Sequence, residues 1–259
     1  MSLIQATILG IVQGITELLP ISSSAHLIII PKFAGWVEHD VIFDIFLHVG
    51  SFLALLFFFG RKINKIIKST IAVKTKFSQS VGMKYLIILI PVALLGLLVG
   101  QGTQNPKYIA ISLITIGFFM IYISKYNILP KNKTYADLSM VDAMIIGLLQ
   151  TLSLFPGVSR SGITISTAMA LGYKKKDATE ISFVAAVFLL CGITIVSLAS
   201  LRSNYIWGNL PVILTGFISS FLVSLLTLHI LFKKINKIPF GIFGVYRILL
   251  GIVLLVIFS

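Results

Sequence analysis

The chain has 259 residues, 57% of them hydrophobic and only 11% charged, and a mean hydropathy of +1.03, which excludes an ordinary soluble domain. Its net charge of +13 invites a nucleic-acid reading, but sixteen of the 21 Lys and Arg lie in four clusters, at 61–84, 125–133, 174–176 and 233–237. All four flank apolar blocks, as positive-inside loops do, and no aromatic-interleaved basic stripe occurs, so nucleic acid is not an expected partner.

In chain order, the first segment, 2–33, has no basic region before its apolar run and no small-residue cleavage site, and is expected to be mature sequence. It begins as an apolar helix, breaks at Pro20 and opens into Ser22, Ser23 and Ser24. Spans are expected at 41–60, 85–101 and 108–124. A polar link, 125–140, precedes a second motif segment at 141–172, which breaks at Pro156 and Gly157 and opens into Ser159, Arg160 and Ser161. Further spans are expected at 178–201, 209–232 and 239–258, with the lone Cys191 a small core residue that cannot form an internal disulfide.

The two motif segments echo each other at a constant offset of 137 positions: Gly10 meets Gly147, Gln13 meets Gln150, Ser22 meets Ser159 and Ser24 meets Ser161. If each crossed the membrane once, the 174–176 cluster would fall on the opposite side from the other basic loops. If each enters and leaves on one side, all four clusters share the cytoplasmic face, leaving only Lys32, Lys107 and Arg202 outside. The expected fold is therefore an all-α polytopic membrane protein of two inverted-topology repeats. Each repeat holds a re-entrant helical hairpin and three transmembrane helices, six full spans and two hairpins altogether. Residues 1–124 and 141–259 are the repeats of one integral membrane domain, 1–259, because neither half can bury its polar hairpin alone. Duplicated broken helices in such a protein mark a binding site.

The polar residues of the hairpins carry the chemistry. Gln13 and Glu17, four apart, share a helix face, and an intramembrane carboxylate is either functional or held in an ion pair, here with Arg160 or Arg247. Ser22, Ser23 and Ser24 at the start of a half-helix offer more hydroxyls than one cap requires, and the free N–H groups there favour an anion. His26 lies on the side of Ser22 and Ser23 and is a candidate acid, base or nucleophile. The run Pro156-Gly157-Val-Ser159-Arg160-Ser161-Gly162-Ile-Thr164 combines hydroxyls, glycines and a guanidinium, a donor set suited to phosphate. Arg247 reads as a structural partner for a carboxylate, Asp44 and His48 as cavity border or supporting shell, and His39 as solvated loop.

With these motifs the chain resembles the undecaprenyl-pyrophosphate phosphatase family of bacterial membranes, also associated with bacitracin resistance. The resemblance rests on Gln13-x-x-x-Glu17 followed by Leu-Pro-Ile-Ser-Ser-Ser-Ala-His26, on Pro156-Gly-x-Ser-Arg-Ser-x-x-Thr164, and on weaker matches through Phe43-Asp44, Ile238-Pro239-Phe240 and Tyr246-Arg247. It implies a multi-pass protein of the cell membrane whose hairpins meet at a central pocket, facing outward, and which hydrolyses undecaprenyl pyrophosphate to the monophosphate and inorganic phosphate. That reaction recycles the lipid carrier of cell-wall polymers. Glu17, Ser23, His26, Ser159, Arg160 and Thr164 carry the family's functional positions, while Gln13 stands where some members have Glu.

On this reading Glu17, Ser23, His26 and Arg160 form the catalytic set, and Gln13, Ser22, Ser24, Ser159, Ser161 and Thr164 bind substrate. Ser23 is the expected nucleophile with His26 or Glu17 as its base, and water polarised by Glu17 is the rival. Glu17 is also the expected ligand of a divalent cation, Mg²⁺ or Ca²⁺. Expected partners are the polyprenyl pyrophosphate and membrane lipids, with a homodimer left open. A lipid-phosphate flippase or transporter is the competing class, since inverted repeats with broken helices also build transporters.

Overall fold

Every expected span and motif segment contains helix among the residues that the computed structural model describes, 1–71, 80–99, 105–126, 129–199 and 203–258; positions 100, 101, 200 and 201 of two expected spans, and Arg202, lie outside them. Among these residues there are eleven α-helices: α1 Leu3–Thr16, α2 Ser23–Phe33, α3 Val41–Ile71, α4 Val81–Val99, α5 Pro106–Lys125, α6 Met140–Gln150, α7 Arg160–Ala170, α8 Lys175–Ala199, α9 Ser203–Gly208, α10 Leu210–Lys234 and α11 Gly241–Ile257. A short 3₁₀ turn, Thr151–Leu154, continues α6 towards the second break. The architecture is all-helical. Four helices, α3, α5, α8 and α10, are long and apolar enough to cross a membrane, while the apolar stretches of α4 (Val81–Gly96) and α11 are shorter. Large apolar side chains such as Phe57, Ile195 and Val256 stand exposed on the outer faces, the distribution of a protein solvated by lipid.

One boundary differs plainly from expectation. α3 continues past 60 to Ile71, because the basic stretch that follows holds good helix formers and neither Gly nor Pro. Ile63 and Ile66 bury one face of this extension, Lys62 turns inward to Glu180, and Arg61, Lys65 and Lys68 are exposed.

The two halves interlock. α1 of the first packs along α10 of the second, and α6 of the second along α4 of the first. Small residues permit this close approach. A Cβ on Gly10 would stand 2.6 Å from the Gly216 carbonyl on α10, and one on its echo Gly147 would stand 2.8 Å from the Ile88 carbonyl on α4. α5 and α11 cross through Gly117 and Gly244 in the same manner.

The described parts of the four basic stretches gather at one end of this bundle. Lys62 on α3 pairs with Glu180 near the start of α8, and Phe59, earlier on α3, meets Phe183, later on α8, so these two helices run antiparallel. Lys175 Nζ donates to the Ile238 carbonyl at 2.5 Å, and the N–H of Gly241 donates to Ser124 Oγ at 3.0 Å. The link joins the same end, through an isolated bridge between Lys133 and Tyr173 and a bond from Tyr135 N–H to Asp177 Oδ1 at 2.9 Å. Asp142, opening α6, is held there by Lys133 at 3.1 Å and Tyr173 at 2.7 Å. The second hairpin therefore starts and finishes at the basic end. The first lies the other way, with Phe33 at the close of α2 packing edge-on against Phe258 beyond α11. The hairpins meet inside.

Candidate active site

Both hairpin breaks are built on the same irregular residue. Ser22 caps α2 at φ 76°, and Ser159 caps α7 at φ 66°, a left-handed conformation that costs a non-glycine residue about 1–3 kcal/mol. These are the only non-glycine residues at positive φ among those described, and they stand 137 positions apart, the offset of the sequence echo. In each copy the hydroxyl two residues on stands 3.3 Å away, Ser22 Oγ to Ser24 Oγ and Ser159 Oγ to Ser161 Oγ. Ser159 Oγ accepts the Gly162 N–H as a cap, whereas Ser22 makes no side-chain cap, leaving its hydroxyl for other work.

One side chain holds the two breaks together. Arg247, on α11 and fully buried, donates from Nη1 to the Pro20 carbonyl at 3.3 Å and from Nη2 to the carbonyls of Gly157 and Val158 at 2.6 and 2.9 Å. The expected carboxylate partner is not what it finds. Breaking two helices strands their carbonyls in an apolar interior, and a guanidinium supplies the donors.

Across the seam the reactive groups converge on Glu17. Its Oε1 accepts from Arg160 Nη2 at 2.5 Å, and its Oε2 accepts from Ser23 Oγ at 2.6 Å and from Gln13 Nε2 at 3.3 Å. The ion pair between Glu17 and Arg160 that the sequence allowed is therefore present, and it joins the first hairpin to the second. Arg160 Nη1 is buried without a partner among the described residues. His48 on α3 completes the cluster, its Nε2 3.6 Å from Glu17 Oε2.

A cavity of about 800 Å³ opens on this cluster. Glu17, Ser22, Ser23, Ser24, Ser159, Arg160, Ser161 and His48 form its polar floor. Its apolar wall comes from α4 and α8, through residues such as Leu89, Val92, Phe188 and Ile193.

The remaining expected residues stand outside it. His26 sits one helical turn from Ser22, but its Nδ1 engages the Ser22 carbonyl and its Nε2 the Tyr246 hydroxyl, both at 2.7 Å, so neither nitrogen is offered to Ser23. Of the two bases expected for Ser23, His26 or Glu17, it is Glu17 that is hydrogen-bonded to the Ser23 hydroxyl. Gln13 is fully buried behind Glu17. Thr164 is buried between α7 and α8, donating to the Arg160 carbonyl at 2.8 Å and standing 2.6 Å from Ser182 Oγ. Neither borders the cavity. Of Asp44 and His48, expected at the cavity border or in a supporting shell, His48 borders the cavity and Asp44 does not.

As a cation site the protein alone offers little. Among the described residues no three His, Cys, Asp or Glu side chains group together, and both Glu17 oxygens already accept hydrogen bonds.

A model of the bacitracin resistance protein BacA family matches residues 6–253. The chain belongs to that family. Relatives align over nearly their whole length. An undecaprenyl-diphosphatase of Caldicellulosiruptor bescii is 38% identical over 262 residues, covering 98% of this chain and 97% of its own. One from Idiomarina loihiensis is 33% identical over the whole of both chains, and undecaprenyl-diphosphatase 1 of Clostridioides difficile is 35% identical over 100% of this chain and 97% of its own.

Proposed function

We propose that this member of the BacA family is an undecaprenyl-diphosphatase, hydrolysing undecaprenyl pyrophosphate to the monophosphate and inorganic phosphate. The observation that carries the proposal is the seam itself, where a serine hydroxyl hydrogen-bonded to a carboxylate from one hairpin faces an arginine and serine cluster from the other. Such groups have a use in hydrolysis and none in carrying a lipid across a bilayer.

Phosphoryl transfer asks chiefly for positioning and charge neutralisation. The terminal phosphoryl group docks between the N-termini of α2 and α7, where dipoles and free N–H groups favour an anion. Arg160 Nη1, without a partner among the described residues, takes a phosphoryl oxygen, and Ser22, Ser24, Ser159 and Ser161 surround the rest. Ser23 Oγ attacks as Glu17 Oε2 receives its proton, and the polyprenyl monophosphate departs. Glu17 passes that proton to the departing monophosphate or to cavity water. Water, deprotonated by the restored carboxylate, then bonds to phosphorus as the Oγ–P bond breaks, and Glu17 returns the proton to Oγ. His26 and Gln13 act by holding Ser22 and Glu17 in place. The prenyl chain lies along the apolar wall of α4 and α8. A divalent cation would share Glu17 with the diphosphate and help neutralise its charge.

The convergence of basic stretches at one end supports the six-span, inverted-repeat reading with two re-entrant hairpins in one domain. The cavity extends along α4 and α8 away from that end, which under the positive-inside rule is the outer side of the cell membrane.

Phosphate release from undecaprenyl pyrophosphate by the purified protein in detergent, with and without chelator, tests the proposal. Activity in the parent and its loss in Ser23→Ala and Arg160→Ala are expected. A parent without activity, or both variants at parental rate, would overturn it.

A further inference from the structure

We infer that Tyr246 is a positioning residue for the first hairpin break. Through His26 it holds Ser22 in its positive-φ turn and so leaves the Ser22 hydroxyl to the phosphoryl group, a role resting on the site proposed above. The two breaks share a backbone and differ in what holds it.

At the second break the serine holds itself. Ser159 Oγ accepts the Gly162 N–H at 3.2 Å, and the Ser159 carbonyl accepts the Ile163 N–H at 3.0 Å. The first break has neither support in full. Ser22 makes no side-chain cap, and its carbonyl accepts the His26 N–H only at 3.4 Å. The His26 ring takes over, with Nδ1 2.7 Å from that same carbonyl. The residue 137 positions on from His26 is Ile163, which has no side-chain donor.

The ring can grip the carbonyl in one form only. A backbone carbonyl accepts and never donates, so Nδ1 carries the hydrogen, and in the neutral ring Nε2 is then a bare lone pair. His26 is buried, and a buried acceptor left without a donor is destabilising. Tyr246 supplies the donor. Its hydroxyl stands 2.7 Å from Nε2, with the two rings within 5° of parallel. Without that hydroxyl the other tautomer would place its hydrogen on Nε2 and set a lone pair against the Ser22 carbonyl. Tyr246 therefore selects the form of His26 that holds Ser22.

The last helix thus reaches the first break twice. Arg247 Nη1 donates to the Pro20 carbonyl at 3.3 Å, and Tyr246, the residue before it, reaches the Ser22 carbonyl through His26. Neither Tyr246 nor His26 borders the cavity, whereas Ser22 does, with the Ser24 hydroxyl 3.3 Å from its own. The tyrosine acts on the substrate through the serine.

The test combines Tyr246→Phe with Ser22→Gly and, as a control, with Ser159→Gly, all in the full-length protein. Glycine adopts positive φ without strain, so at 22 it needs no hold, while at 159 it leaves the first break as it was. Tyr246→Phe alone should lower kcat/KM for undecaprenyl pyrophosphate roughly fivefold, about the worth of one hydrogen bond. Ser22→Gly should fall below the parent for want of its hydroxyl. Adding Tyr246→Phe to it should change kcat/KM by less than about twofold, whereas in Ser159→Gly the same change should keep its full effect. Thermal melting of the same set should follow suit, with Tyr246→Phe lowering Tm in the parent and in Ser159→Gly and lowering it less in Ser22→Gly. Equal losses in all three backgrounds, as a packing defect or a direct catalytic part for His26 would give, would overturn the assignment. So would a Tyr246→Phe protein as active as the parent. A parent that releases no phosphate would instead overturn the reading of the site. The melting series would then decide alone, with coupling to Ser22 supporting the hold and equal losses refuting it.

Discussion

Glu17→Gln is the most revealing single change, because it removes charge and basicity while keeping size. The carboxylate accepts the Ser23 hydroxyl at 2.6 Å and the Arg160 guanidinium at 2.5 Å. An amide oxygen can still accept one of these bonds, but it cannot take a proton. Loss of a positioned general base is expected to lower kcat by about 10²–10⁴, equivalent to roughly 3–5 kcal/mol of barrier. KM should move little, since Arg160 released from its partner remains free to hold phosphate. Stability should fall separately, because removing one member of a buried pair leaves the other charge uncompensated, at a cost of about 3–5 kcal/mol. Bound phosphate would restore part of that loss by giving Arg160 an anion. The assay is phosphate release under saturating lipid, run beside thermal melting with and without phosphate. A folded variant whose kcat stays within threefold of the parent would refute Glu17 as the base.

Arg247→Met should cost about 3–5 kcal/mol and be read in Tm, because three carbonyls at the two breaks lose their donor; an unchanged Tm would remove the clamp from consideration. Gly147→Leu should lower Tm by overpacking, at about 1–3 kcal/mol or more, since even a Cβ would come within 2.8 Å of the Ile88 carbonyl. A melting curve like the parent's would mean that α6 and α4 are not so close. Thr164→Val should leave KM within threefold and reduce stability by about 1 kcal/mol, because its hydroxyl bonds Ser182 and the Arg160 carbonyl and not the cavity. A large rise in KM would restore it to the substrate.

Much of this was legible because the signals are local. Apolar blocks bounded by basic loops locate spans, and Pro20, Pro156 and Gly157 announce breaks wherever they fall. The repeat then couples the hairpins, so Glu17, Ser23, Ser159, Arg160 and Ser161 could be gathered from two halves before any geometry was known. What escaped was side-chain direction. His26 shares a helix turn with Ser22 and Ser23, yet its ring turns back to the Ser22 carbonyl and out to Tyr246, a residue 220 positions away. His48 reaches Glu17 only because α3 packs beside the first hairpin, a tertiary fact with no counterpart in spacing. Arg247 belongs to the same class, since the carbonyls it serves exist only once both helices have broken. The end of α3 was misjudged for a simpler reason, that a change from apolar to basic residues ends a membrane span without ending a helix.

The claim on which the rest depends is that the two hairpins form one centre in which Ser23 of the first is phosphorylated under Arg160 of the second. Rapid quenching of the protein with undecaprenyl pyrophosphate labelled on its terminal phosphate, followed by peptide mapping, addresses it directly. Label on Ser23, formed and lost at rates compatible with turnover and absent in Arg160→Ala, is the expected result. Full turnover with no label on Ser23, or with undiminished turnover in Ser23→Ala, would contradict it.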